Sequence, residues 1–379
     1  MPTTLTVRRY SDGRVLSRTS DFDQDLRTKY GVPFLDLHRV DVQRVLTARA
    51  EDLGVELRLG SRVADIDFDT SKLTLESGET LHADLLVGAD GLWSKCRERF
   101  LLSKNQIPDA PLPTGDLAYR IVLDASNITD SSLKPLITDP TVNFWIGPGA
   151  HCVAYSLRGG TMYNVVLLCP DDLPPGVARQ TASLDEMRKL FESWDPLLNR
   201  LLDQVRTVDK WKLMHRSELE SWVHVSPKNE AGFVFLGDAC HPMLPYLAQG
   251  ANSSIEDGAV LGYILSQYRG DGKKGLTECL GLYERLRKKR GEAIVRQTFA
   301  QREDFHMVDG PEQERRDAFM LGKLRREGGE EEEGEERLRS VIDEEFPSRW
   351  QCPVVQPWLY GYDAREEVER AVGEGGLGG

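Results

Sequence analysis

The sequence predicts an α/β fold with α+β elements, in which a domain built from strand–turn–helix units is interrupted by an antiparallel sheet. Three observations support this prediction. Two apolar strands, within residues 81–100 and 232–265, each end in a turn that contains glycine and aspartate, and each precede a helix. Between them, residues 114–220 contain successive strands joined by glycine-rich turns. The chain is therefore expected to leave its first domain, form the sheet and return.

Composition excludes several classes of function. The 379 residues can form one large or two modest domains, and the net charge of -13 argues against nucleic acid or an anionic membrane surface as a general partner. The six cysteines include no CxxC pair, so neither a zinc site nor a disulfide framework is expected. The chain start lacks an apolar signal core, and no stretch approaches the roughly 18 apolar residues that span a bilayer. We expect a cytoplasmic protein without integral membrane association.

The first hundred residues predict several short elements. Leu5–Tyr10 and Arg14–Ser17 form an expected strand pair around a Ser-Asp-Gly turn. Residues 34–50 predict a strand end and then a helix with Val42, Val45, Leu46 and Arg49 near one side. Further short strands are expected at Leu53–Leu59, Arg62–Phe68 and Leu73–Leu75.

The second strand–turn–helix unit carries the most specific pattern in the chain. Phe233–Leu236 is an apolar run suited to a buried strand, and Gly237-Asp238 supplies a sharp turn and a carboxylate. Pro242 and Pro245 then fix the backbone and remove two amide donors. At Gln249-Gly250 the backbone can approach a ligand closely. The loop is therefore expected to have a defined shape.

The helix of this unit is expected to begin near Asn252 or Ser253, with Ser253 and Glu256 as a capping box. Small residues share one face of it with two apolar residues, namely Gly258, Ala259, Gly262, Ile255 and Leu265. Such a helix can lie close to a sheet or to a planar ligand. Further along, the basic run Arg285–Arg290 is expected to be a solvated helix face.

The segment GDACHPMLPYLAQGANSSIEDGAVL, residues 237–261, resembles the FAD-dependent aromatic hydroxylases and, within them, the salicylate hydroxylase-like flavin monooxygenases. The resemblance implies an FAD-binding Rossmann-like domain of the aromatic hydroxylase type, interrupted by an antiparallel-sheet substrate domain. It implies that Asp238 holds the ribityl hydroxyls, and that amides at the start of the helix stabilise charge at the flavin N1 and C2 carbonyl. The implied cofactor-binding residues of this segment are Asp238, Pro245, Gly250, Ala251 and Asn252.

Four residues outside this segment also match the family's pattern. Arg39, in HRVDV, is implied to contact FAD, and Asp90, in GADG, to lie near the flavin and the path of the pyridine nucleotide. Arg120 is implied to orient a phenolate or carboxylate, with Tyr155 as its companion, so both are candidate catalytic residues. The alternatives are a surface arginine near a helix start, a plain strand-to-helix turn, and ordinary exposed or core strand residues.

One part of the family's pattern is missing from the sequence. The family opens with a strand, a GxGxxG turn and a helix whose N-terminus receives the FAD pyrophosphate. Residues 1–30 contain no such unit, and Gly13 and Gly31 are too far apart to replace it. We therefore expect an N-terminally truncated FAD-binding domain, either in a shortened product or in a variant that has lost much of its hold on FAD.

The expected domain boundaries follow from these segments. Residues 1–105 are the first part of the FAD-binding domain, residues 106–220 the substrate-binding sheet, and residues 221–305 the second part of the FAD-binding domain. Residues 306–379 are expected to form a C-terminal helical segment with an acidic, glycine-rich loop at 328–336 and a flexible tail at 373–379.

The function implied by the resemblance is that of an FAD-dependent monooxygenase. It would use NAD(P)H and O₂ to hydroxylate a small aromatic or phenolic substrate, including secondary metabolites, through a flavin C4a-hydroperoxide. Two alternatives remain open. One is a truncated, catalytically impaired homologue that binds FAD weakly, and the other is a related flavin enzyme that epoxidises or decarboxylatively hydroxylates a non-phenolic substrate.

Other chemistries are not expected from this sequence. It contains no GxSxG elbow, no HExxH motif and no P-loop. His241, beside Pro242, is interpreted as a residue that shapes the loop rather than as a general base. His151 and His215 have no neighbours at metal-ligand spacing, so both are interpreted as structural and no metal site is expected.

Overall fold

The computed structural model describes residues 1–226, 231–267, 273–327, 352 and 355–373. The chain forms two compact units. The first, called the sheet unit, comprises Met1–Glu56, Gly115–Leu213 and Gln301–Gly361. The second, called the motif unit because it contains both glycine–aspartate turns, comprises Leu57–Thr114, Met214–Ala300 and Tyr362–Gly379. The expected acidic loop and all but the first residue of the expected tail lie outside the described residues.

The described strands, in chain order, are β1 Thr4–Arg9, β2 Val15–Thr19, β3 Val63–Asp67, β4 Lys72–Leu75, β5 Thr80–His82, β6 Leu85–Gly88, β7 Leu112–Asp124, β8 Thr141–Gly147, β9 Ala150–Leu157, β10 Met162–Pro170, β11 Arg179–Thr181, β12 Asp209–His215, β13 Val223–Val225 and β14 Gly232–Phe235. The described α-helices are α1 Phe22–Tyr30, α2 Arg39–Asp52, α3 Lys95–Ser103, α4 Lys134–Thr138, α5 Leu184–Leu190, α6 Pro196–Asp203, α7 Gly250–Gln267, α8 Lys273–Phe305, α9 Pro311–Glu327, α10 Val355–Tyr360 and α11 Ala364–Ala371.

The sheet unit is built on an eight-stranded mixed sheet with the order β11-β12-β7-β10-β9-β8-β1-β2. Strands β7, β10, β9 and β8 pair antiparallel, as predicted, but β1 pairs in parallel with β8. The first strand pair therefore extends the predicted sheet. As a result, residues 1–56 group with the sheet, whereas the sequence predicts one domain for residues 1–105. The functional assignment of these segments stays a prediction.

The two faces of this sheet have different surroundings. One face belongs to the hydrophobic core of the unit, with fully buried residues that include Tyr119, Leu167 and Cys152. Side chains alternate between faces along a strand, and directly opposed residues share a face. Asn164 of β10 is opposite both Tyr155 of β9 and Val122 of β7, and Arg120 lies two residues before Val122. The register thus places Arg120, Asn164 and Tyr155 together on the second face.

The motif unit contains two three-stranded sheets, of order β13-β14-β6 and β3-β4-β5. Strand β6 pairs in parallel with β14, from Leu85 opposite Gly232 to Gly88 opposite Phe235. Because parallel strands end at the same edge, the two glycine–aspartate turns leave this sheet on the same side. The core includes four aromatic rings whose neighbouring centroids lie 4.7–5.8 Å apart, those of Phe68, Phe100, Phe233 and Phe235.

Several sequence-based expectations about elements are wrong in detail. Residues 53–59 form turns and irregular backbone instead of a strand. No residue of α2 is buried, and Val45 and Leu46 are 68% and 54% exposed, so the predicted apolar side does not face a core. Helix α7 begins at Gly250, which places Ser253 inside the helix, where its amide donates to the Gln249 carbonyl; the predicted capping box does not form.

Two wider expectations can also be compared with the structure. All six cysteines are free in the structure, and five of them are buried. In the part of the chain that the structure describes, no helix combines the length and apolar character needed to cross a membrane.

Candidate active site

The glycine–aspartate turn after β14 has a backbone shape that requires glycine. Gly237 adopts a φ of 61°, in the left-handed region, and a Cβ at this position would lie 2.8 Å from the Ser254 Oγ of α7. A larger residue would therefore push the turn away from the helix. Asp238 is exposed, whereas its neighbours Gly237 and Ala239 are buried, so the aspartate is the accessible residue of the turn.

The loop between this turn and α7 alternates buried and accessible residues. The residues implied to contact FAD are accessible: Asp238, Pro245, Ala251 and Asn252 are exposed, and Gly250 is half-buried. The buried residues between them include Leu244, Tyr246, Leu247 and Gln249. The first amides of α7 have no acceptor within the helix and carry partial positive charge. A carboxylate acceptor and several amide donors are thus accessible on one loop, which fits the hydroxyls and ring carbonyl of a flavin.

The buried carboxylate of Asp257 in α7 holds this loop in place through hydrogen bonds. Its carboxylate is fully buried and accepts hydrogen bonds from the Gly237 amide at 2.8 Å and from the His241 Nε2 at 2.6 Å. The Arg287 Nε of α8 donates to its other oxygen at 2.7 Å. Burial acts to raise the pKa of Asp257, but the hydrogen bond from His241 and the charges of His241 and Arg287 hold that pKa below its ordinary value. One carboxylate therefore connects the turn, the loop and two helices.

Two arginines of the basic run of α8 lie in the interior, whereas Arg285 and Lys289 are exposed, so the prediction of a solvated face is wrong for part of the run. Arg287 is fully buried and Arg290 is 5% exposed. Glu256 accepts from Arg290 at 2.9 and 3.0 Å and lies 2.8 Å from the Arg287 Nη1. Both guanidinium groups also lie over the Tyr362 ring, at 5.1 and 4.1 Å. Two adjacent acids in α7 thus compensate two arginines one turn apart in α8.

His241 has the surroundings of a residue that shapes the loop. It is 2% exposed, and its ring lies 5.1 Å from that of Trp222. Potential ligand atoms of Cys240, His241 and Asp257 lie within 4.8 Å of one another, which is close enough for a metal ion. However, the Asp257 oxygens already accept three hydrogen bonds, and burial holds the pKa of Cys240 well above its ordinary value. The donor set therefore suits an internal network better than a metal ion.

Asp90, the aspartate of the first turn, caps helix α3. It accepts a hydrogen bond from the Ser94 hydroxyl at 2.5 Å and bonds from the Lys95 and Cys96 amides at 2.7 and 3.0 Å. These contacts satisfy amides that the helix leaves without acceptors. Asp90 is exposed, and its predicted role beside the flavin stays a prediction.

Arg120 lies on the second face of the sheet, where no described residue forms an ion pair with it. Its guanidinium lies 5.6 Å from the centre of the Trp211 ring, and it makes no ion pair or hydrogen bond with any described residue. Partial removal from water lowers the pKa of Arg120 and the charge of Arg39 lowers it further, while Tyr155 has the opposite effect. A guanidinium that is affected by a second cation and that no described carboxylate pairs with is suited to bind an anion.

Tyr155 and Arg39 complete the predicted set in the sheet unit. Tyr155 is half-buried; burial first, and then the charge of Asp36, raises its pKa to about 12. Arg39 is the exposed first residue of α2, where a positive charge is unfavourable with the helix dipole. Arg158 donates two hydrogen bonds, of 2.7 and 2.8 Å, to the Asp41 carboxylate, and these bonds hold the first turn of α2 beside the end of β9.

Sequence reasoning missed several residues of these sites. Asp257 and Arg287 carried a weak signal, because an acidic pair in one helix and a basic run in the next can neutralise each other. Asn164 carried none, because only the strand register brings it opposite Tyr155. Of the predicted residues, the structure gathers five on the loop of the motif unit and Arg120 with Tyr155 on one face of the sheet.

Comparison with known proteins identifies the family. The family model described as "FAD binding domain" matches residues 13–298. The FAD-dependent monooxygenase OpS4 of Beauveria bassiana is 48% identical over 375 residues, which cover 98% of this chain and 82% of that protein. The 3-hydroxybenzoate 6-hydroxylase of Polaromonas naphthalenivorans is 31% identical over 287 residues, covering 75% of this chain and 66% of that protein.

Among solved structures, a salicylate hydroxylase in complex with its substrate matches with a TM-score of 0.73 at 21% identity, covering 97% of this chain and 81% of that one. At this identity the match concerns the fold, and it agrees with the mixed α/β architecture predicted from the sequence.

Proposed function

The chain belongs to the FAD-dependent monooxygenases of the aromatic hydroxylase type, and we propose that it hydroxylates a small aromatic acid or acidic phenol with NAD(P)H and O₂. The observation that carries this proposal is Arg120, an exposed cation that no described residue pairs with, on the same sheet face as Tyr155. Names of relatives support the substrate class, because several of them act on hydroxybenzoates.

The cofactor would be held mainly by the loop of the motif unit. Asp238 would accept hydrogen bonds from hydroxyls of the ribityl chain, and the amides at Gly250–Asn252 would stabilise negative charge at the pyrimidine end of the ring. When bound, FAD supplies the reduction of O₂ and the transfer of one oxygen atom to the substrate. The contribution of Asp257 is to fix the turn and the loop against α7 and α8.

The substrate would be bound by residues of the sheet unit. A fixed guanidinium favours the ionised form of a phenol, so Arg120 would both orient the ring and lower the phenol's pKa, which makes the ring more electron-rich. Tyr155 has a pKa of about 12 and therefore keeps its hydroxyl proton at neutral pH, so it can donate a hydrogen bond to the same anion.

The first experiment asks whether the purified protein holds flavin and uses it. We expect a yellow protein that releases FAD on denaturation and oxidises NADH or NADPH faster when hydroxybenzoates are added. A colourless protein that added FAD does not reconstitute would overturn the proposed activity.

A second experiment tests the substrate site through two arginines that share one ring. Arg120 and Arg179 both lie over Trp211, at 5.6 and 4.2 Å, but Arg179 is paired with Asp209 at 2.7 Å. Arg120→Met should weaken hydroxybenzoate binding at least about tenfold, because a charge-assisted pair is lost. Arg179→Met is the matched control and should leave binding unchanged. Equal effects of the two substitutions would contradict the assignment of Arg120.

A further inference from the structure

Three side chains form a row across neighbouring strands of the large sheet. Strands β11, β12 and β7 are adjacent in that order. Trp211 of β12 is directly opposite Arg179 of β11, and Arg120 of β7 also lies over its ring. The guanidinium carbons of Arg179 and Arg120 lie 4.2 and 5.6 Å from the centre of this ring, and both distances are within the range of a cation–π interaction. One indole ring therefore contacts two arginines, one from each neighbouring strand.

The two arginines of this row differ in how their charge is compensated. The Arg179 Nη2 donates to the Asp209 carboxylate at 2.7 Å, and the Thr181 hydroxyl donates to the same carboxylate at 3.0 Å. The hydrogen bonds from Arg179 and Thr181 hold the pKa of Asp209 below its ordinary value, so this acid is ionised and neutralises Arg179. Arg120 forms no ion pair or hydrogen bond with any described residue, and the ring of Trp211 is its packing partner.

An aromatic ring and a carboxylate restrain a guanidinium in different ways. A carboxylate takes up N–H donors and neutralises the charge, so it competes with an anionic ligand. A ring attracts the cation through its electron-rich face, whereas the N–H groups of a guanidinium lie in the plane of that group. Trp211 can therefore restrain Arg120 and leave both its charge and its donors available for a ligand.

Such a restraint matters for binding because Arg120 is exposed. An exposed arginine side chain has several rotatable bonds, and fixing it when a ligand binds costs conformational entropy. A contact that already limits the guanidinium before binding reduces this cost. The register of β7, β10 and β9 places Arg120 on the same face as Tyr155, so the ring limits the guanidinium to the face that carries the proposed substrate site.

We propose that Trp211 is a positioning residue, whose ring holds the Arg120 guanidinium at this face while the N–H groups of Arg120 bind the acidic group of the substrate. The inference rests on the proposed function and adds the residue that orients its anion-binding group. The ring acts through Arg120 and not by contact with the substrate, so its effect must disappear when the guanidinium is removed. Another aromatic ring should retain the effect, and an aliphatic side chain should not.

The test is a double-mutant cycle on the full chain, in which isothermal titration calorimetry measures the dissociation constant of 3-hydroxybenzoate. Trp211→Leu should weaken binding roughly fivefold, as expected when an accessible cation–π contact is lost. In the Arg120→Met background the same substitution should have no further effect, because no guanidinium is left to position. Trp211→Phe should stay within about twofold of the wild type. Trp358→Leu, at an exposed tryptophan of the same unit, is the matched control and should leave binding unchanged.

Several results would overturn the inference. Trp211→Leu could weaken binding equally in the wild-type and Arg120→Met backgrounds, as a direct contact with the ligand or a general loss of structure would do. Unchanged affinity in Trp211→Leu, a Trp211→Phe variant as weak as Trp211→Leu, or a wild-type protein that does not bind the probe would also contradict it. Flavin content and NAD(P)H oxidation are measured on the same samples. A colourless protein that still shows the coupling would contradict the proposed activity alone, and an active protein without the coupling would contradict this inference alone.

Discussion

Single residues in this protein obtain their roles from the partners that surround them. Asp257 and Asp238 are nineteen positions apart on either side of the same loop, yet one is fully buried with three donors and the other is exposed. Burial of a carboxylate is tolerated only when charges and hydrogen bonds compensate it. We therefore expect Asp257 to stabilise the fold and Asp238 to bind the cofactor, and the two substitutions should separate these effects.

Asp238→Ala should lower the affinity for FAD at least about tenfold, because an accessible charged acceptor is lost. Unfolding in urea should change by less than about 0.5 kcal/mol, as expected for an exposed site. FAD titration by fluorescence provides the measurement, with the exposed Asp65→Ala of the same unit as a control. Unchanged FAD affinity in Asp238→Ala would refute the assignment of this carboxylate.

Asp257→Asn should destabilise the protein by roughly 3 kcal/mol, because among the described residues it leaves the buried Arg287 with Glu256 alone as a counter-charge. Urea denaturation monitored by circular dichroism measures this change. The double variant Asp257→Asn/Arg287→Met removes both charges and should recover part of the loss. A double variant with the summed loss of both single variants would show that the two groups do not interact.

The element that determines the geometry of the loop after β14 is the parallel pair β6–β14. Both strands end at one edge, and each is followed by a glycine–aspartate turn. After β14 the turn runs against α7, so the loop and the first residues of that helix are held together. The shape of the turn after β14 therefore depends on the left-handed backbone conformation of Gly237 as well as on the hydrogen bond from its amide to Asp257.

Gly237→Ala should therefore destabilise the protein by about 1–3 kcal/mol, from the left-handed backbone and from the clash with Ser254. Urea unfolding measures the effect, and Gly237→Ala/Ser254→Ala should recover the part due to the clash. The matched control is Gly258→Ala, because a Cβ at this position of α7 meets no atom within 4 Å; it should be neutral or stabilise by up to about 1 kcal/mol. Equal losses in the two alanine variants would contradict the role of the turn.

At the scale of the whole molecule, the sequence predicts those features of the fold that depend on the pattern of residues within a short segment. The strands and turns around Asp90 and Asp238, the antiparallel strands β7–β10 and the family follow from short segments. The parallel pairing of β1 with β8 joins residues more than 130 positions apart, so no local pattern reveals it. The burial of Arg287 and Arg290 could not be predicted for a related reason. A basic run stays in contact with solvent unless acidic residues of another helix compensate its charge, and only the folded chain shows that α7 provides these acids.

Acid stability is a property of the whole fold to which one pair of histidines, a buried one and a half-buried one, should contribute. His151 of β9 and His306, which follows α8, lie 2.8 Å apart, and burial lowers both pKa values, that of His306 to about 4. Since an unfolded histidine has a pKa near 6.5, protons bind more strongly to the unfolded chain between about pH 6.5 and pH 4. His306 alone should therefore reduce the free energy of unfolding by about 2 kcal/mol between pH 7.5 and pH 5.

Urea denaturation at these two pH values measures this loss. In His306→Gln, the loss of unfolding free energy between pH 7.5 and pH 5 should be smaller by about 2 kcal/mol than in the wild type. In His151→Gln/His306→Gln the loss should be smaller still, because neither glutamine takes up a proton on unfolding. The exposed His82→Gln should leave it unchanged. The opposite result would contradict this prediction. If folding stabilised the charged form of the histidine pair, the pair would increase the free energy of unfolding as the pH falls from 7.5 to 5. The glutamine variants would then lack this increase.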